Sequence, residues 1–101
     1  ITGSGLLGNV PRCLPDGTRA VLVESRWKRP PIFDVLQRLG EVERSEMFNT
    51  FNMGVGMTVV VAAADVPAAL ALLKTRGLEA WDVGGIEAGQ PGAEAEAVVV
   101  P

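Results

Sequence analysis

The first twelve residues, ITGSGLLGNVPR, hold the densest set of groups in the chain able to grip an anion. Gly3, Gly5 and Gly8 alternate with Thr2, Ser4 and Asn9, and Arg12 stands just behind them. Glycine tolerates positive φ and close backbone approach, so several N–H groups can converge on one phosphate. The spacing matches neither the dinucleotide fingerprint nor a P-loop, since no lysine follows the glycines. On spacing alone a plain glycine-rich turn fits better than a phosphate cradle. A second glycine turn, FNMGVGM, joins Asn52, both donor and acceptor, to Gly54 and Gly56. A bulge at the mouth of a strand and proximity to a ligand explain that turn equally well.

Other chemistry is scarce. The chain has no histidine, which removes the commonest general base and the commonest zinc ligand together. Cys13 is the sole cysteine, so no internal disulfide can form and a reducing compartment is the simpler expectation. Without a histidine to activate it, Cys13 reads as packing volume and not as a nucleophile. Glu41, Glu43 and Glu46 cluster in sequence, but no Asp-x-Asp pattern gathers a cation, and a solvated helix face is expected. Trp27 and Trp81 read as core or edge packing. These residues contain no complete active site, no catalytic residue and no metal site.

The elements that must position the glycine turns follow from pattern. After a turn at Pro15-Asp16-Gly17, a strand is expected over residues 19–24, its apolar run buried on both faces. Pro30 and Pro31 suit a helix entrance; Ile32, Phe33, Leu36 and Leu39 make one apolar stripe, with Gly40 as a left-handed stop. A shorter helix is expected over residues 42–49. Met57 to Ala62, unbroken and β-branched at its centre, reads as a central strand. Asp65 is placed as the cap of a helix carrying Pro67 in its first turn, with Leu70 and Leu73 facing inward and Gly77 ending it. LEAWDVGGIEAG reads as a strand interrupted near Gly84-Gly85, and AVVV as a short closing strand. The order β-α-α-β-α-β-β predicts an α+β fold, with helices packed on a mixed, largely antiparallel sheet and no internal boundary.

Composition narrows the partners. At 101 residues the chain is one small domain or a piece of a larger one, and 48% apolar residues allow a modest core. No apolar run approaches the ~20 residues that span a bilayer, and no membrane partner is expected. Residues 1–44 hold seven basic and five acidic groups, whereas 45–101 hold two basic and seven acidic. The mildly basic half suits a small anion but is too dilute, and too poor in aromatics, for nucleic acid.

Four blocks, ITGSGLLGNVPRCLPDG, SRWKRPPIFDVLQRLG, EMFNTFNMGVGM and LALLKTRGLEAWDVGGI, occur in an order and spacing that covers residues 1–90. Together they resemble the C-terminal part of the phosphoribosylaminoimidazole synthetase family, the phosphoribosylformylglycinamidine cyclo-ligases of purine synthesis. The resemblance implies a C-terminal segment of a several-fold longer cytoplasmic ligase, whose N-terminal ATP-binding domain and the first half of whose C-terminal domain lie elsewhere. It implies ATP and Mg²⁺ as requirements of the parent enzyme and formylglycinamidine ribonucleotide as substrate, with nothing bound by the segment alone. ATP would phosphorylate an amide oxygen, and the substrate's own nitrogen would then displace phosphate and close the ring. This segment would supply one wall of the site: Thr2, the amides of Gly3, Ser4 and Gly5, Asn9, and Arg12 as either a ligand or a surface ion pair. The family loop reads His-Ile-Thr-Gly-Gly-Gly, so Ser4 departs from it. If that position has positive φ, serine costs on the order of 1 kcal/mol. Lacking the nucleotide site and the family histidine, the segment would be inactive alone, and its uncovered apolar surface would make it a homo-oligomer. A free-standing small-ligand or regulatory module, and a pure packing scaffold, are the competing expectations.

Overall fold

The computed structural model describes residues 1–101. Its elements are α1 (Gly5–Asn9), β1 (Thr18–Val23), α2 (Pro31–Gly40), α3 (Arg44–Thr50), α4 (Val66–Thr75), β2 (Gly84–Ala88) and β3 (Glu96–Val100), an α+β fold. Short 3₁₀ turns at Val10–Cys13, Glu24–Arg26 and Ala63–Asp65 link them. The sheet is mixed and three-stranded, in the order β2-β1-β3. β1 runs antiparallel to β2, with Ala20 opposite Ile86, and parallel to β3, with Ala20 opposite Ala97. The last two strands therefore flank β1 and do not pair with each other. Their connection crosses the end of β1, where Gly17 donates to Ala93 O at 2.7 Å and Gly89 donates to Gly17 O at 2.9 Å. Gly17 takes φ 77°, so the turn read at Pro15-Asp16-Gly17 is what lets the crossing strap dock. On one face of the sheet Arg19 pairs with Glu87 and lies 3.9 Å from Glu96, one cation spanning three strands. The hydrogen bond and charge of Glu87 raise the Arg19 pKa.

Every fully buried side chain belongs to residues 6–55: Leu6, Val10, Ala20, Leu22, Trp27, Met47, Phe48, Met53 and Val55. Helix α3 delivers Met47 and Phe48, and the segment after it returns Met53 and Val55 to the same cluster. Arg44 lies 5.1 Å above the Phe48 ring and 3.1 Å from the Glu24 carboxylate, closing the outer side of this core. Trp27 is buried, and its Nε1 donates to Met53 O at 3.0 Å, as a packed indole requires.

Outside that cluster several sequence-based expectations give way. Met57 to Ala62 joins neither strand nor helix; Met57 is 81% and Val59 68% exposed. β-propensity expresses fit to a ladder, and no strand of this chain lies beside the run to form one. Helix α2 buries only part of its stripe: Phe33 meets Phe51 at 5.8 Å, while Ile32, Leu36 and Leu39 are exposed. The left-handed stop falls at Glu41 (φ 51°), one residue after Gly40, because Val42 N–H reaches back to Gln37 O at 3.0 Å. Helix α3 starts at Arg44 and not at Val42. Asp65 makes no side-chain cap; the preceding 3₁₀ turn, with Asp65 N–H on Ala62 O at 2.8 Å, feeds α4 directly. Leu70 and Leu73 are only half-buried. Residues 78–82 stay outside the ladder, Val83 O accepts from Val23 N–H at 2.8 Å, and β2 begins at Gly84, where a Cβ would overlap Val21 O. Gly84 is thus a close strand approach, Gly85 has open space, and both pair in the ladder where an interruption is expected. Cys13 is exposed, its Sγ on Val10 O at 3.2 Å, so it fills no packing volume.

Candidate functional site

The opening loop is a strained turn held from one side chain. Ser4 takes φ 81° and Gly5 φ 58°, two left-handed residues in succession. Gly5 must be glycine on steric grounds as well. A Cβ there would overlap the Phe48 carbonyl oxygen and crowd Phe51 O at 2.8 Å. The loop therefore seats on the backbone at the C-terminal end of α3, whose two buried side chains anchor the core. Gly3 has open space around it and is exposed with Thr2 and Ser4.

Asn9 ties this turn together. Its Nδ2 donates to the carbonyls of Thr2, Gly3 and Gly5 at 3.2, 3.0 and 2.7 Å, and its Oδ1 accepts from the Thr2 hydroxyl at 3.4 Å. Those bonds commit the loop's carbonyls inward. The Gly5 amide is likewise occupied, donating to Thr2 O at 3.1 Å, and Gly8 N–H donates to Ser4 O at 2.9 Å. The amides of Gly3, Ser4, Leu6 and Leu7 have no acceptor within the chain. Leu6 and Leu7 lie outside the expected set because a free backbone N–H is advertised by no residue type.

Arg12 follows in the adjoining 3₁₀ turn, exposed and without an ion-pair partner, so no surface carboxylate occupies its guanidinium. No hydrogen bond joins it to the glycine loop. The second turn lies beside the first: the Ile1 nitrogen donates to Gly56 O. Within it Asn52 Oδ1 accepts from Gly54 N–H at 2.8 Å, and Asn52 O accepts from Val55 N–H at 2.9 Å. Met53 and Gly54 both take positive φ, at 54° and 101°. A Cβ on Gly54 would collide with the Pro30 ring, so this glycine admits the proline entrance of α2, whereas Gly56 is open. Asn52 thus shapes a turn with the oxygen that a ligand would otherwise meet. No group of three or more Cys, Asp or Glu gathers to hold a metal ion.

Since Ser4 sits in the left-handed region, Ser4→Gly is expected to stabilise the fold by about 1 kcal/mol, raising Tm by roughly 4–8 °C in a domain of this size. Thermal melts of the two chains measure it.

Comparison with known proteins places these features in context. The family description "AIR synthase related protein, C-terminal domain" matches residues 1–95. The phosphoribosylformylglycinamidine cyclo-ligase of Myxococcus xanthus is 61% identical over 101 residues, all of this chain and 29% of the relative. That of Anaeromyxobacter dehalogenans (strain 2CP-C) is 67% identical over 92 residues, 91% of this chain and 27% of the relative. The chain therefore spans less than a third of the length of these relatives. No helix is long and apolar enough to cross a membrane.

Proposed function

Because the chain belongs to the family of AIR synthase related C-terminal domains, we propose that it serves as one wall of the substrate site of an ATP-dependent cyclo-ligase acting on phosphoribosylformylglycinamidine. What supports this reading most directly is the opening loop. Four amides lack an acceptor on a turn whose carbonyls Asn9 has already drawn inward. Amides held in place cost no reorganisation when a phosphate arrives, and each bond to an anion is stronger than its neutral counterpart. The exposed Arg12 guanidinium adds a forked donor suited to the same group. Asn9 orients the loop, while Gly3, Ser4 and Arg12 meet the phosphate.

The rest of the reaction belongs to parts beyond these residues. ATP, when bound, supplies the phosphoryl group that turns an amide oxygen into a leaving group. This chain offers no carboxylate cluster for Mg²⁺ and no residue placed as acid or base, so its contribution is binding and orientation. A soluble nucleotide-forming ligase carrying one exposed thiol suits the cytoplasm, and the unpacked apolar residues suit an oligomer.

The reading is tested in the longer enzyme carrying these residues. Arg12→Ala is expected to raise KM by about 10-fold, equivalent to about 1.4 kcal/mol, with kcat little changed. Ser4→Val should raise KM more, since a β-branched residue resists the left-handed conformation and displaces the amides. A scaffold role predicts lower Tm with KM untouched in the folded fraction. Unchanged KM in both variants overturns the phosphate wall.

A further inference from the structure

Gly8 is a glycine that its own backbone does not require. It lies inside α1, outside the left-handed region that Gly5 and Gly17 occupy. Within a helix alanine is intrinsically favoured over glycine. One neighbour forbids it here. A Cβ on Gly8 would overlap the Cβ of Ser4 and stand 3.5 Å from its Oγ. Apart from its own helix and chain neighbours, it would meet no other atom within 4 Å. The overlapped atom is fixed to the backbone and cannot rotate aside. Gly8 N–H also donates to Ser4 O at 2.9 Å, so the two residues cannot draw apart without opening the first turn of α1.

We infer that Gly8 is a positioning residue for the phosphate-facing loop and acts through Ser4. The inference rests on the phosphate wall proposed above. Ser4 holds φ 81°, and in that conformation its carbonyl meets Gly8 while its own N–H and that of Gly3 stay free. A side chain at position 8 drives Ser4 out of the left-handed region and turns its amide away from that of Gly3. The carbonyls of Thr2, Gly3 and Gly5, now gathered on Asn9 Nδ2, move with it. Positions 4 and 8 therefore form one steric unit. Serine at 4 demands glycine at 8, and glycine at 4 sets position 8 free.

The test is a double-variant cycle in the longer enzyme carrying these residues, read as KM and kcat for phosphoribosylformylglycinamidine. Gly8→Ala is expected to raise KM by about 10-fold with kcat little changed, the mark of lost binding and not of lost chemistry. Adding Ser4→Gly removes the overlapping atom and keeps the amide. The double variant is therefore expected within about 2-fold of the parental KM. Should Gly8→Ala alone fail to fold, the double variant carries the test, since it must fold and bind. Arg12→Ala, measured alongside, reports on the wall itself. A raised KM for Arg12→Ala with an unmoved KM for Gly8→Ala overturns this inference and leaves the wall standing. Unmoved KM in both overturns the two together. A double variant as impaired as Gly8→Ala, or unfolded like it, removes Ser4 from the account and overturns the coupling.

Discussion

Gly5→Ala is expected to leave the chain largely unfolded at 25 °C. The new methyl group would meet the Phe48 carbonyl oxygen within its own radius, on a residue that also needs φ 58°. Backbone atoms cannot rotate aside as a side chain can, so relief requires moving α1 off the end of α3. The left-handed penalty is about 1–2 kcal/mol and the overpacking about 1–3 kcal/mol more. Against a total near the lower end of about 5–15 kcal/mol for a domain of this size, that is most of the available stability. Circular dichroism and urea melts should show loss of the cooperative transition. Gly3→Ala is the control, because nothing lies within 4 Å of its Cβ position. Equal loss in both variants would mean that the loop does not seat on α3 as described.

The second large effect is catalytic. Purified chain supplied with ATP, Mg²⁺ and phosphoribosylformylglycinamidine is expected to form no ring-closed product above background. Activating an amide oxygen requires a positioned phosphoryl donor and neutralisation of charge on the transferring group. The chain offers amides and one free guanidinium near its opening loop, but no metal-binding cluster and no histidine. Turnover that persists after removal of host enzyme, followed by product chromatography, would transfer the chemistry to this segment and overturn the division of labour.

Local signals carried the fold where residues acted on near neighbours. The turn at Gly17, the proline entrance of α2 and the stop at Gly77 all follow from short-range chemistry. The four sequence blocks likewise point to the family that the comparisons show. Met57–Ala62 is legible as strand-forming and yet forms no strand, because a ladder is a property of two segments and sequence describes one. Asp65 illustrates a smaller limit: a good capping residue makes no cap when a 3₁₀ turn already delivers the chain at the helix. At the site, Ser4 is the residue that positive φ is expected to strain, and it has positive φ. The resemblance implies Asn9 as one of the phosphate-facing side chains, and the structure bonds its amide nitrogen to three carbonyls of the loop itself. A side chain's type tells what it can bond, and only the three-dimensional arrangement tells which bond it has already made.

The crossing strap between β2 and β3 has a topological consequence. It passes over the end of β1 and is tied to Gly17 from both sides, with Gly17 N–H on Ala93 O and Gly89 N–H on Gly17 O. β3, residues 96–100, lies parallel to β1, residues 18–23, so the pair joins segments more than 70 residues apart. Within these residues β1 comes early, and both of its neighbours in the sheet come from the last quarter. The ladder therefore closes after a long loop has been drawn shut, and the entropy of that closure sets a slow, late step in folding. The fully buried residues around Phe48 all come from residues 6–55, while Trp81 and Val83, just before β2, and Ala97 and Val99 of β3 pack against them and close the core together with the sheet.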